Sequence, residues 1–235
     1  MRKKKIFLHI GNHKTATTSV QHFFSKKKKY LIKKNFLYAV GGGIDYNNNV
    51  SWEAINHFYF SKNRQNIKDL LSIIKKNSKM DILISSENLE NLKYNSKFKK
   101  FILEIKKSHK IKIIWTIREQ FSYLMSLLTT LMNKGAFVNN FDNLVTKIKK
   151  GKLSFPPYIF WFNYYLQYKK ICKIYNVSKK DINLIVYYKN INIFKEFLKI
   201  LKINLKTKKN EITKNKSNEL FQNKLNIKNY LKNFL

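Results

Sequence analysis

The sequence predicts an α/β fold with three layers, in which helices cover both faces of a central, mainly parallel β-sheet. Four short runs rich in β-branched and aromatic residues are typical of buried strands: Lys5–Ile10, Asp81–Ser85, Ile111–Ile117 and Ile182–Tyr188. Segments with helical spacing separate these runs, and strands joined by crossover helices lie parallel. The chain has 235 residues, a length that suits a single domain spanning 1–235.

The helical segments follow from apolar residues at helical spacing. They are Thr15–Lys33, Gln65–Lys76, Lys97–Lys107, Gln120–Met132 and Tyr158–Ile174. A further short strand is predicted at Phe36–Val40, before a loop with Gly41–Gly43 that either connects two elements or lies on the substrate side. The pair Pro156-Pro157 is expected to end one segment and to start the helix near Tyr158.

The chain is strongly basic, with a formal net charge of +35 that comes almost wholly from lysine, since the arginines are Arg2, Arg64 and Arg118. A field of this size concentrates anions such as nucleic acid, anionic lipid, a nucleotide or an acidic glycan. An AT-rich genome would also enrich Lys, Asn, Ile, Phe and Tyr together, so the charge alone selects no partner. The tail from about Lys206 is rich in Lys and Asn, and we expect one or two surface helices there.

Cys172 is the single cysteine, so the chain can form neither an internal disulfide nor a cysteine-based metal site. This composition suits a reducing, cytoplasmic setting. No apolar run approaches the roughly 20 residues of a membrane helix, and Ile6–Ile10 is too short for the core of a signal peptide. We therefore expect a soluble protein without a transmembrane segment, whose basic face could still contact an anionic membrane surface.

The most specific feature of the sequence is residues 5–19, K-I-F-L-H-I-G-N-H-K-T-A-T-T-S, where a strand runs into a short loop and then into a helix. A helix N-terminus offers unpaired N–H groups and the positive end of its dipole to an anion. Lys14 adds an ammonium group, and Gly11 lets the backbone turn closely. Further donors are the hydroxyl groups of Thr15, Thr17, Thr18 and Ser19. Residues 11–19, called the anion loop below, are therefore predicted to bind phosphate.

The anion loop resembles the 5′-phosphosulfate loop of P-loop sulfotransferases that use 3′-phosphoadenosine 5′-phosphosulfate (PAPS), commonly written H-I-G-x-x-K-T-G-T-T-S. It lacks the second glycine of the nucleotide-triphosphatase pattern G-x-x-x-x-G-K-[ST]. The matching residues are His9, Ile10, Gly11, Lys14, Thr15, Thr17, Thr18 and Ser19. Ala16 replaces the usual glycine, and its methyl group leads us to expect a helical dihedral there. The resemblance implies a P-loop nucleotide-binding-like fold in which Gly11 and Lys14 to Ser19, including Ala16, hold the donor.

A second anion site is expected because PAPS carries anionic groups at both ends of its nucleoside. Arg118 ends the strand Ile111–Ile117, and Ser126 follows about two turns into the next helix. An arginine fork can pair with two phosphate oxygens while a serine hydroxyl donates to a third. The pair resembles the family's 3′-phosphate motif, an arginine followed by seven residues and a serine. The resemblance therefore assigns Arg118 and Ser126 to the 3′-phosphate.

Sulfuryl transfer needs a group that stabilises the departing phosphate and a base that removes the proton of the acceptor. Lys14 suits the first role. The candidate for the second is Glu87, since it follows a predicted strand and the segment Ser85-Ser86-Glu87 is similar to one that carries the base in glycan-modifying members of the family. His13 is the alternative base. No metal is expected, because no clear strand end carries the aspartate that a kinase would use on magnesium.

The resemblance implies that the chain transfers a sulfuryl group from PAPS to a hydroxyl acceptor and releases adenosine 3′,5′-bisphosphate (PAP). A carbohydrate hydroxyl is the acceptor expected by analogy with soluble bacterial relatives. Two alternatives remain at this stage, a P-loop small-molecule kinase and a non-enzymatic, basic nucleic-acid-binding protein. The sequence determines neither the acceptor nor the oligomeric state.

Overall fold

The computed structural model describes residues 3–12, 15–39, 65–86, 89–90, 96–133, 148, 150–155, 158–188 and 190–205. Their strands are β1 (Lys4–Gly11), β2 (Phe36–Tyr38), β3 (Asp81–Ser86), β4 (His109–Arg118), β5 (Lys152–Phe155), β6 (Tyr158–Trp161) and β7 (Ile182–Tyr187). Their α-helices are α1 (Thr17–Lys26), α2 (Lys28–Lys33), α3 (Gln65–Lys76), α4 (Ser96–Ser108), α5 (Gln120–Asn133), α6 (Tyr164–Tyr175) and α7 (Ile193–Leu201). A 3₁₀ turn, Lys179–Asp181, precedes β7.

Five of the strands form one sheet in the order β2-β3-β1-β4-β7, and each neighbouring pair is parallel. The strand that carries the anion loop is therefore central, with β3 on one side and β4 on the other. The register pairs Ile10 with Ser86 of β3 and Gly11 with Thr116 of β4. Because parallel strands end at the same edge, the residues that follow β1, β3 and β4 meet there, which is where ligands of such sheets collect.

The two faces of this sheet are covered by different helices. Ile6, Leu8 and Ile10 of β1 point to one face, where they belong to a buried cluster with residues of α3, α4 and α6. Phe7 points to the other face and belongs to a cluster with residues of α1, α2 and α7. This alternation is the two-residue period of a strand, and two apolar faces are expected of a covered parallel sheet. The predicted three-layer α/β/α fold is confirmed.

The prediction of a helix over Tyr158–Ile174 is wrong for its first residues. Residues Tyr158–Trp161 form β6, which pairs antiparallel with β5 in a separate two-stranded sheet. Helix α6 begins at Tyr164, where the Asn163 side chain caps it by accepting a hydrogen bond from the Leu166 N–H group at 3.0 Å. Aromatic and β-branched residues suit a strand when a partner strand is present, and here β5 is that partner.

The helix predicted over Thr15–Lys33 is divided into α1 and α2, with Lys27 between them in a non-helical conformation. Helix α7 and the two-stranded sheet were not predicted. The four predicted main strands and the short strand at Phe36 are confirmed, with ends that differ by one or two residues where they are described. The loop Gly41–Gly43, the proline pair and the tail from Lys206 lie outside the described residues.

Candidate anion-binding site

The anion loop begins at the carboxyl edge of the sheet, where β1 ends next to β4. Gly11 is paired with Thr116, and Arg118 stands two residues further along β4. A rise of about 3.3 Å per residue and a strand spacing of about 4.8 Å place the Cα atoms of Gly11 and Arg118 roughly 8 Å apart. The two predicted anion sites therefore start from neighbouring positions on one edge.

Helix α1 follows the anion loop and begins at Thr17 with no side-chain cap among the described residues. Val20 donates its N–H group to the Ala16 carbonyl at 3.1 Å, which makes the first turn of the helix. The N–H groups in the first turn of an α-helix generally find no carbonyl partner within the helix itself. An uncapped N-terminus of a ten-residue helix, with the positive end of the dipole, favours an anion at this position.

Ala16 has a left-handed backbone conformation, with φ 60° and ψ 25°. The expectation of a helical dihedral at this residue is therefore wrong. A left-handed conformation is easy for glycine, whereas a Cβ atom makes it costly. The glycine that usually occupies this place in the resembled motif would suit this dihedral, so the alanine keeps the turn at an energetic cost.

Gly11 is needed because the side chain of Thr17 lies against it. A Cβ atom at Gly11 would be 2.2 Å from the Thr17 hydroxyl oxygen and 3.1 Å from that of Thr116. Thr17 is 1% exposed, and its hydroxyl group has no hydrogen-bond partner in the described part of the chain. A buried hydroxyl without a partner is rare. This hydroxyl lies at the first turn of α1, next to Gly11.

Thr15 points into the protein instead of out of the loop. Its hydroxyl group donates to the Asn12 carbonyl at 2.6 Å and lies 3.0 Å from the Thr116 hydroxyl, and the residue is fully buried. Any contact of Thr15 with an anion would therefore use its backbone N–H group. Thr18 is exposed at the start of α1, whereas Ser19 is buried.

His9 lies beneath the anion loop and joins three strands. Its Nδ1 atom is 2.7 Å from the Ser85 hydroxyl of β3, and its Nε2 atom is 3.2 Å from the Thr116 hydroxyl of β4. Complete burial lowers the pKa of His9 from 6.5 to about 3, so the ring is neutral near pH 7. Ser85 and Thr116 were not among the predicted site residues, because only the register of the strands brings them to His9.

Arg118 is half-buried at the end of β4, with its guanidinium carbon 5.9 Å from the centre of the Tyr187 ring. The Tyr164 hydroxyl donates to the backbone carbonyl of Arg118. Glu119 accepts the N–H groups of Phe121 and Ser122 at 2.7 Å and so caps α5. Burial acts to raise the pKa of Glu119, but these hydrogen bonds and the charge of Arg118 outweigh it and the pKa is lowered.

The other predicted site residues divide into two groups. Ser126 is half-buried on α5, the helix that follows Arg118. Lys14, His13 and Glu87 lie outside the described residues, and their roles stay predictions.

Glu90 is a buried carboxyl that the sequence analysis missed, three residues beyond Glu87. It is fully buried and accepts a hydrogen bond from the Tyr123 hydroxyl at 3.2 Å, while its backbone carbonyl accepts from Trp161 Nε1 at 3.1 Å. It therefore joins α5 and β6 to the segment after β3. Burial raises the pKa of Tyr164, and the nearby charge of Glu90 raises it further.

The described residues contain no group of three or more His, Cys, Asp or Glu side chains placed to hold a metal ion. Among the same residues, no helix has both the length and the apolar character needed to cross a bilayer.

The fold is similar to the crystal structure of a sulfotransferase from Alicyclobacillus acidocaldarius, with a TM-score of 0.47 and 11% sequence identity, over 90% of this chain and 89% of that chain. No protein-family profile matches the sequence, and no curated protein matches it.

Proposed function

We propose that this protein is a sulfotransferase that moves a sulfuryl group from PAPS to a hydroxyl group, with a carbohydrate as the acceptor class. The observation that carries the proposal is the N-terminus of α1, which has no side-chain cap among the described residues, beside the buried hydroxyl of Thr17, which has no hydrogen-bond partner among the same residues. It occurs within the segment whose sequence resembles the 5′-phosphosulfate loop of PAPS-dependent enzymes. A helix N-terminus with a spare buried donor suits the tetrahedral oxygens of a phosphate or sulfate.

The phosphosulfate end of the donor would be held by the anion loop. The first N–H groups of α1 and the Thr17 hydroxyl would donate to its oxygens, and Lys14 would approach from the loop. A lysine ammonium near the bridging oxygen stabilises the charge that grows there as the bond to sulfur breaks. This interaction is stronger in the transition state than in the ground state, which is the condition for catalysis.

The 3′-phosphate would be held by Arg118 and Ser126. Two features support this part of the proposal. Arg118 stands at the same edge of the sheet as Gly11, about 8 Å away by sheet geometry, and its guanidinium lies against the Tyr187 ring. A fork held on an aromatic face keeps its donors directed and loses little freedom on binding.

In the transfer step, the acceptor oxygen forms a bond to sulfur while the bond between sulfur and the bridging oxygen breaks. The electron pair of that bond goes to the 5′-phosphate of the departing PAP. The proton of the acceptor goes to a general base, for which Glu87 is the first candidate and His13 the second. The carbohydrate acceptor rests on the resemblance alone.

Calorimetric titration with PAP and with 5′-AMP tests the proposal. We expect wild type to prefer PAP and the Arg118→Ala variant to lose the preference. The Arg118→Lys variant keeps the charge without the fork, so it should recover only part of the preference. Loss of a charged hydrogen bond of 1.5–3 kcal/mol corresponds to an affinity lower by about 10- to 100-fold. Lys14→Ala should lower the affinity for PAP by a similar factor. Lys33→Ala, which removes an exposed lysine of α2, should leave this affinity unchanged.

Three outcomes would contradict the proposal. Equal affinity of wild type for PAP and AMP would show that the protein does not recognise the 3′-phosphate. Better protection from heating by ATP with magnesium than by PAP would favour a kinase. Binding of nucleic acid that falls steeply with salt, with no effect of Lys14→Ala, would favour a nucleic-acid-binding protein.

A further inference from the structure

We propose that His9 is a positioning residue of the anion loop, and that it carries its proton on Nε2 in order to hold Thr116 and, through it, Thr15. The inference rests on the proposed function for its effect on the donor, but not for its geometry. His9 would touch neither donor nor acceptor. It would act on donor binding through Asn12 and Thr15, two residues of the anion loop.

The first step is the position of the His9 ring. It is completely buried, its two nitrogens face Ser85 of β3 and Thr116 of β4, and its plane stands at 85° to the Phe197 ring at 4.7 Å between centroids. Gly11 lies close to the ring as well, since a Cβ atom built there would be 3.2 Å from Nε2. The ring therefore links hydroxyl groups on two strands that lie on either side of β1.

The second step is the direction of each hydrogen bond. The hydroxyl of Thr15 donates to the Asn12 carbonyl at 2.6 Å, so its one proton is used. The contact of 3.0 Å between the hydroxyls of Thr15 and Thr116 then requires Thr116 to be the donor. With its own proton used, Thr116 can only accept from His9 at 3.2 Å. His9 must carry its proton on Nε2, and Nδ1 must accept from Ser85 at 2.7 Å.

The third step is what this chain of hydrogen bonds holds. Asn12 and Thr15 are the described residues on either side of the loop positions 13 and 14. Thr116 contacts both residues. Its backbone carbonyl accepts the Asn12 N–H group at 3.1 Å, and its hydroxyl group donates to the Thr15 hydroxyl. His9 directs that hydroxyl by donating to it. Without this donor the Thr116 hydroxyl is free to turn, and Thr15 loses its support.

Two variants of His9 separate the hydrogen bond from packing. Glutamine places its amide nitrogen near the position of Nε2 and keeps a donor toward Thr116, whereas the shorter asparagine places its amide nearer to Nδ1 and cannot reach Thr116. We expect His9→Gln to keep PAP affinity within about twofold and His9→Asn to lower it by about 3- to 10-fold, the value of one neutral hydrogen bond. Thr116→Ser should retain binding and Thr116→Val should resemble His9→Asn.

The tautomer itself is measured on wild type without any ligand. Nitrogen-15 chemical shifts of the imidazole ring, read through its carbon-bound protons, should show a protonated Nε2 and an unprotonated Nδ1 for His9 at pH 7. The opposite tautomer, or an imidazolium ring, would overturn the proposal whatever the protein binds. This measurement needs no variant to fold.

Amide hydrogen exchange separates a failure of this inference from a failure of the proposed function. If wild type does not bind PAP, the proposed function fails, but the Asn12 amide should still exchange faster in His9→Asn than in His9→Gln. Equal exchange of this amide in the two variants would refute the positioning role. Equal PAP affinity in the two variants would refute it as well, even if wild type binds PAP tightly.

Discussion

Replacing Ala16 by glycine should stabilise the protein. Ala16 has φ 60° and ψ 25°, and a left-handed conformation costs a residue with a Cβ atom about 1–2 kcal/mol. Glycine removes this cost. It also gives the unfolded chain more freedom, which lowers the free energy of unfolding by about 0.4–1 kcal/mol. The difference leaves a net gain of about 0.5–1 kcal/mol for Ala16→Gly.

The gain is measured as a shift of the thermal midpoint. For a chain of this length, a change of 1 kcal/mol moves the midpoint by about 2–4 °C, so the expected rise is about 1–4 °C. The matched control is Ala39→Gly. Ala39 is 2% exposed, has no positive φ, and donates its N–H group to the Leu83 carbonyl at 2.9 Å. Glycine at position 39 relieves no backbone strain and only adds freedom to the unfolded chain, so the thermal midpoint of Ala39→Gly should fall.

The result also bears on the anion loop. Because Ala16→Gly removes only strain and keeps the left-handed turn, PAP affinity should remain within about twofold of wild type or rise. A midpoint that falls in Ala16→Gly as much as in Ala39→Gly would show that residue 16 is not left-handed in solution. The explanation of the glycine in the resembled motif would then be lost as well.

Three further outcomes are expected. Gly11→Ala should lower the free energy of unfolding in urea by about 1–3 kcal/mol, because its Cβ atom would lie 2.2 Å from the Thr17 hydroxyl. Adding Thr17→Ala should restore much of this loss. Additive losses in the double variant would disprove the contact. Burial lowers the pKa of His9 to about 3, so below pH 6.5 the unfolded state binds one proton more than the folded state. The free energy of unfolding should therefore fall by about 2 kcal/mol between pH 7 and pH 5. The same fall between these pH values in His9→Gln would contradict this. Asp181→Asn should destabilise by about 1–3 kcal/mol, because Asp181 accepts hydrogen bonds from Lys112 and from Ser178, each at 2.8 Å. The loss in the double variant Lys112→Ala/Asp181→Asn should be smaller than the sum of the two single losses, and additive losses would contradict the pairing.

Much of the fold could be predicted because its strands are distinct in the sequence. The runs at Lys5, Asp81, Ile111 and Ile182 are apolar on both faces, as strands of a covered parallel sheet must be. The error at Tyr158–Trp161 has a physical cause. A short aromatic run suits either a helix or a strand, and the choice depends on whether a partner such as β5 lies beside it.

The site was predicted less completely than the fold. Gly11, Thr17 and Arg118 could be proposed from the sequence because a loop of known pattern and a rare arginine stand out in it. Asn12, Ser85 and Thr116 could not, because a polar residue at a strand end gains its role only from the residue opposite it. A slip of one residue in the register would turn Thr116 away from His9.

The sequence by itself determined the strands of the main sheet, most of the helices between them and the position of the anion loop after the first strand, since these depend on local pattern. Tertiary structure alone decided the left-handed turn at Ala16, the close contact of Thr17 with Gly11 and the direction of the protons around His9. These features depend on atoms that are distant in the chain and meet only when β1 lies between β3 and β4. Contacts between distant segments depend on the register of the sheet, and no local pattern of residues specifies that register.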